Sequence, residues 1–309
     1  MENISYDGIF KELLDEFPAE NVVDFINKLF ERSHSRDSEV IKLETESHVD
    51  GKERRSDKII RIGGDMYHVE IQSGDDNSIA LRIFEYSYRA ALQHGKTLTS
   101  GSLTLDFPKS VVFYLRTTAQ TPTEITITLN LPDGTTTTYT TPVRLLKEYK
   151  LEDLIQDSSL IFAPYYPMLF EGESLKSPEM LKKLENECIF IIDKIKEKAN
   201  NGEIGRKTTD LIVKSLEDIL FNVMVKSKLS KEEVDETMEA VARKYVLEPL
   251  NWREEGIVIG FAKGKAEEEA RMKKAIMKML ARGDSIEEIQ DVTGYEAAEI
   301  EKIRSEMQK

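Results

Sequence analysis

The chain has 309 residues, 40% hydrophobic and 32% charged, with a formal net charge of −14. The length predicts more than one compact unit. The acidic balance excludes a protein that grips nucleic acid mainly by bulk positive charge, but leaves room for an enzyme with a local basic patch, or one that uses cations to hold acidic groups together. A single cysteine, Cys188, excludes a disulfide framework and a cysteine-based zinc site. No apolar run reaches membrane-spanning length, and the opening MENISYDGIF lacks the pattern of a signal peptide, so a cytoplasmic protein without membrane contact is expected.

Residues 5–32 read as two helices. Phe10, Leu13, Leu14 and Phe17 lie on one face, Pro18 ends that helix, and Val22, Val23, Ile26, Leu29 and Phe30 supply the next face. From about 38 to 72 the pattern is extended, with IIRI and MYHVEIQ flanking Gly63-Gly64 as in a two-residue hairpin. Residues 77–93 return to helix, with Ile79, Ala80, Ile83, Phe84, Ala90 and Ala91 on one side. SVVFYL (110–115) reads as a buried strand, and a second hairpin is expected around Pro132-Asp133-Gly134. Strands stop at FAPYYPMLF, where Tyr165-Tyr166 reads as core packing, and a boundary is expected near 172–177.

Three amphipathic helices are expected over 178–247, then a long charged helix from 252 and two short helices. Ser285 and Glu288 form a capping box after Gly283, and Gly294 separates the short helices in a helix-turn-helix-like outline. Residues 252–309 hold 11 Lys or Arg and 13 Asp or Glu, which favours helix packing or self-association over DNA reading. Gly256, Gly260 and Gly264 recur every fourth residue in the long helix; each costs about 1 kcal/mol relative to alanine, a loss that pairing with another helix would restore.

The chemistry concentrates between Ser56 and Ser73. With Gly63-Gly64 as the turn, Ile62 faces Asp65, Ile60 faces Tyr67, and Asp57 falls opposite Glu70. Opposed carboxylates repel. The two-residue step puts Gln72 on the face of Glu70. Two carboxylates and an amide oxygen on one face suit a hard divalent cation such as Mg²⁺ or Mn²⁺, which could activate water and steady charge on a phosphodiester. The alternative is a solvent-facing hairpin with ordinary polar residues. His34, His48, His68 and His94 show no metal-ligand spacing, and His68, on the Glu70 face, reads as structural before catalytic. Neither a phosphate-binding glycine loop nor a nucleophile elbow is present.

Asp57, a hairpin, Glu70-x-Gln72 and a helix carrying Arg82 and Tyr86 together resemble the recombination-promoting nuclease and transposase-like (Rpn) group of the PD-(D/E)xK nuclease superfamily. The opening Asp7-Gly-Ile-Phe10-Lys11, the step Arg82-Ile-Phe-Glu-Tyr86, and the ending Leu280-Ala-Arg-Gly-Asp-Ser-Ile-Glu-Glu-Ile289 with Thr293-Gly294 agree with it. The resemblance is strongest over residues 5–95. It implies an α/β (α+β) fold: a restriction-endonuclease-like core with a mixed sheet flanked by helices, followed by an all-helical C-terminal region. It also implies metal-dependent phosphodiester hydrolysis on DNA in a recombination or mobile-element setting.

Carried over, Asp57 and Glu70 become metal ligands, and Gln72 stands where the superfamily has its catalytic lysine. A basic residue from elsewhere would then supply the missing charge. Lys11 is the first candidate, on one helical face with Asp7; the alternative is a plain ion pair between them. Arg82, Tyr86 and Arg89 form a stripe suited to a phosphate backbone, or else a solvated helix face. The expected organisation is a nuclease-like domain over 1–175, a helical region over 176–250 and a long helix plus helix-turn-helix-like tail over 251–309. The expected partners are DNA and further copies of the chain, joined through the C-terminal helices as a homodimer or higher oligomer. The rival expectation is a nuclease fold that has lost its chemistry and binds DNA or protein through its helical tail.

Overall fold

The computed structural model describes residues 5–43, 46–49, 52–55, 59–246, 273–282, 284–293, 295 and 297–306, with backbone alone at 46–49 and 52–55. The chain forms two compact units, Met1–Pro249 and Leu250–Lys309.

The first unit opens with α1 (Tyr6–Glu16) and α2 (Ala19–Phe30). Ser5 caps α1 by accepting from the Gly8 N–H at 3.1 Å, and Pro18 sits at the junction as expected. Strands β1 (Val40–Leu43), β4 (Ile59–Ile62) and β5 (Asp65–Gln72) follow, with a separate hairpin of β2 (Glu46–Val49) and β3 (Lys52–Arg55) between the first two. The β4–β5 turn falls at Gly63-Gly64, where Gly63 has φ +59, a conformation that favours glycine. Its register is the expected one: Ile62 faces Asp65 and Ile60 faces Tyr67.

Helix α3 (Ile79–His94) then crosses over. An exposed hairpin of β6 (Lys96–Thr99) and β7 (Ser102–Leu105) leads into β8 (Lys109–Tyr114), which runs parallel to β5. Strands β9 (Glu124–Asn130) and β10 (Thr136–Leu145) complete a mixed six-stranded sheet of order β1-β4-β5-β8-β10-β9. The β9–β10 turn forms at Pro132-Asp133-Gly134, with Gly134 at φ +86.

Helices cover both faces of this sheet. Alternate residues of β5 and β8 point to opposite sides. Phe113 stacks on Phe162 at 3.8 Å and Tyr67 packs on Phe30 at 4.9 Å, on the side of α1 and α2. Val112 and Tyr114 join Ile79 and Ile83 of α3 on the other side. Every residue of β5 from Met66 to Gln72 is buried, as befits a central strand, so the solvent-facing hairpin considered from the sequence is not what forms.

Prolines 164 and 167 lie three residues apart in Leu160–Phe170, which winds as a buried 3-10 segment; the missing N–H groups disfavour an α-helix there. Tyr165 and Tyr166 are core residues, and the Tyr165 hydroxyl donates to the Tyr6 carbonyl at 2.8 Å. Three helices follow, after a short α4 (Leu151–Leu154) that precedes the 3-10 segment: α5 (Pro178–Asn200), α6 (Arg206–Lys226) and α7 (Lys231–Val246). They do not stand apart. The Tyr6 hydroxyl donates to Asn222 at 2.8 Å, and Thr208 donates to the Glu16 carbonyl at 2.8 Å, tying α6 to α1. The break expected near 172–177 is therefore a turn within one unit.

In the second unit, helix α8 (273–282), α9 (Ile286–Thr293) and α10 (Ala297–Glu306) share a core of Ile276, Ile289, Ile300 and Ile303. The expected long helix around Gly256, Gly260 and Gly264, together with Gly283, Gly294 and the Glu288 side chain, lies outside the described residues. Among the described residues no helix is long and apolar enough to cross a membrane.

Candidate functional site

Strand β5 turns His68, Glu70 and Gln72 toward α3, and all three are buried, Glu70 at 3% exposure. Arg82, one turn into α3, reaches down to them. Its Nη2 lies 2.8 Å from Glu70 Oε1 and donates to Gln72 Oε1 at 2.6 Å. The two oxygens expected as metal ligands thus converge on one cationic nitrogen. Gln72 is held in this orientation because its Nε2 donates to the Gly74 carbonyl at 2.7 Å.

Asp76 Oδ2 lies 3.5 Å from the same Nη2. Its carboxyl is held below the ordinary aspartate range, first by the Ser78 backbone N–H, then by the Ser78 hydroxyl, with Arg82 contributing more weakly. Two carboxylates therefore surround one guanidinium, and the Arg82 Nε–H is buried with no hydrogen-bond partner among the described residues. The described cluster sets two carboxylates and one unmatched donor around Arg82.

His68 is fully buried and packed edge-on to Tyr86 at 5.8 Å. Its Nε2 lies 3.8 Å from Glu70 Oε2, and its Nδ1 is 3.5 Å from the Ser110 hydroxyl. Ser110, whose hydroxyl also lies 3.2 Å from that of Ser87, stands beside His68 across the parallel β5–β8 pair. These contacts make His68 a wall of the site, and Ser110 and Asp76 are members that the sequence reading did not name.

The other expected site residues are placed as follows. Asp57 lies outside the described residues. Lys11 Nζ donates to Asp7 at 2.6 Å, the i to i+4 ion pair on α1. The described basic side chain that donates to Gln72 is Arg82. Arg82 and Tyr86 face the sheet rather than forming a solvated surface, while Arg89 pairs with Glu85 at 2.7 Å along the helix.

Among the described residues no three His, Cys, Asp or Glu side chains gather into a ready cation cage. The donors that do converge are hard oxygens already turned toward a positive centre, as Mg²⁺ or Mn²⁺ requires. Their chemistry fits such an ion if a second carboxylate joins them. No family profile, curated protein or solved structure matches the chain.

Proposed function

We propose that the chain is a divalent-metal-dependent DNA endonuclease of the PD-(D/E)xK type. The observation that carries this reading is the convergence of Glu70 Oε1 and Gln72 Oε1 on one cationic nitrogen, on the strand after a glycine hairpin. A mixed sheet flanked by helices, as the Rpn resemblance implies, supports it further. Glu70 and Asp57 would hold Mg²⁺ or Mn²⁺, with Gln72 completing the oxygen set. The ion would supply Lewis-acid activation of water and of the phosphodiester.

The protein's own groups divide the remaining work. Gln72 cannot supply the positive charge of a lysine; Arg82 brings it to the same point from α3, at 2.6 Å. The unmatched Arg82 Nε–H is a donor for a non-bridging phosphate oxygen, where hydrogen bonding and charge act together. Tyr86 and His68 pack the wall that fixes Glu70, while Arg82 and Asp76 keep part of their surface in solvent. In this role Arg82 neutralises and positions first and contacts phosphate second. Lys11, Tyr86 and Arg89 remain candidates for contacts along the DNA, and self-association through the C-terminal helices remains part of this reading.

One observation favours the rival reading of a nuclease fold turned binding module: the Arg82 guanidinium already neutralises Glu70. Plasmid nicking separates the two. Purified protein is assayed with Mg²⁺, Mn²⁺, Ca²⁺ or EDTA, beside the Asp57→Ala and Glu70→Ala variants. Nicking that needs metal and disappears in both variants supports the nuclease. Activity that survives both substitutions, or folded protein inert under every metal, overturns it.

A further inference from the structure

The β9–β10 hairpin extends beyond the rest of the sheet. Strand β8 pairs with β10 only over Val143–Leu145, whereas Thr136–Pro142 pairs with β9 alone. Strand β9 is the terminal strand, and among the described residues nothing hydrogen-bonds to its outer edge. Edge strands of monomers are normally blunted by lysine, proline, a bulge or shortness, because an open row of N–H and C=O groups templates another strand. Here seven residues, EITITLN, run without proline, lysine or glycine. Ile125 and Ile127 face α3, while Thr126 and Thr128 are exposed on the other side.

A two-stranded ribbon can also enter a DNA groove. From Thr117 to Val143, however, the chain carries Glu124 and Asp133 and neither lysine nor arginine, so a phosphate backbone would be repelled. The pattern instead suits a copy of itself. In an antiparallel pair centred on Ile127, Thr126 faces Thr128, Ile125 faces Leu129, and Glu124 faces Asn130. Like faces meet like faces, and the one charge on each strand meets an amide rather than its own copy.

We infer that β9 is the pairing edge for a second copy of this chain, joining two six-stranded sheets into one continuous sheet across a two-fold axis. This surface is distinct from the C-terminal helices and does not depend on the nuclease reading.

The test is sedimentation velocity on the full chain at micromolar concentration. Wild type is expected at twice the chain mass or above, with one association step that depends on β9. The Thr126→Lys/Thr128→Lys variant sets lysines opposite lysines and is expected to weaken the dimer at least ten-fold. The Thr126→Lys/Thr128→Glu variant sets each lysine opposite a glutamate and is expected to remain dimeric. Both sites are exposed in the monomer, so circular dichroism should match wild type, while the melting temperature of the double-lysine variant should fall only by the share that the lost dimer contributed and so depend less on protein concentration. A wild type that is monomeric throughout, a double-lysine variant that stays dimeric, or equal dissociation of both variants would overturn the assignment.

Discussion

Replacing Arg82 tests the centre of the site without requiring any activity. Glu70 is 4% exposed at its side chain against 30% for Arg82, so removal of the guanidinium leaves a carboxylate that water barely reaches. Breaking a fully buried ion pair costs about 3–5 kcal/mol, because the remaining charge is stranded. Arg82 keeps part of its surface in solvent, which weakens the pair and its desolvation alike, so Arg82→Met is expected to cost about 2–3 kcal/mol. For a unit of this size that corresponds to a fall of roughly 4–6 °C in melting temperature. The assay is urea unfolding in EDTA at neutral pH for Arg82→Met, Glu70→Gln and the double variant. Once Glu70 is neutral there is no charge to strand, so the double variant should lose less than the sum of the singles by about 1.5–3 kcal/mol. Added Mn²⁺, with EDTA left out, should then stabilise Arg82→Met more than wild type, because the guanidinium no longer competes with the ion for Glu70 Oε1. Additive singles, or an Arg82→Met cost within about 0.5 kcal/mol of zero, would refute the view that the guanidinium balances the carboxylate.

Three further outcomes follow from the geometry. Moving the positive charge from helix to strand, as Gln72→Lys with Arg82→Gln, should nick plasmid better than either single change. Gln72→Lys alone crowds two cations, and Arg82→Gln alone removes the described one. Burial first, and then the hydrogen bond and charge of Asp65, push the Tyr67 phenol up to about 12. The folded state thus favours the neutral phenol, a contribution intact below the ordinary value of 10.0 and lost as pH rises from there through about 12. Stability measured across that window should fall more steeply for wild type than for Tyr67→Phe. At Gly95, the end of α3, an added Cβ would meet the Asp106 carbonyl at 2.4 Å and the Met66 methyl at 2.8 Å, so Gly95→Ala should lower stability by about 1–3 kcal/mol in urea unfolding.

How much of this was readable from the sequence depended on how far apart the interacting residues lie. The β4–β5 hairpin was legible because Gly63-Gly64 fixes its register locally, and the shared face of Glu70 and Gln72 follows from one two-residue step. Arg82 was recognised as a functional candidate, but its partner was not. Which side of α3 meets the sheet depends on a parallel pairing of β5 with β8 that no local signal encodes. Ser110 was missed for the same reason: it meets His68 only through that pairing. The β6–β7 hairpin was missed although its sequence alternates around Ser100-Gly101, because its strands are only four residues long and Leu98 and Leu103 cover no core. The break near 172–177 looked like a domain boundary because strands give way to helices there. The contacts that cancel it, Tyr6 with Asn222 and Glu16 with Thr208, join residues about two hundred positions apart.

The nuclease and binding-module readings differ most sharply in what Arg82 is taken to replace. If the guanidinium had simply taken the place of a lost metal, one positive group facing one carboxylate would suffice and its donors would be used up. The described cluster holds more than that pair. Asp76, held ionised by Ser78, adds a second carboxylate at 3.5 Å, and the Arg82 Nε–H stays buried and unmatched among the described residues. Two carboxylates within reach of one guanidinium can take a further cation, and an unmatched buried donor is costly until an acceptor arrives. A cation together with a phosphate oxygen would satisfy both at once. A protein partner bound through the helical tail would satisfy neither. The charge that glutamine withholds at position 72 is therefore better understood as moved to α3 than as lost, which is why the charge-relocation variant bears directly on the choice between the two readings.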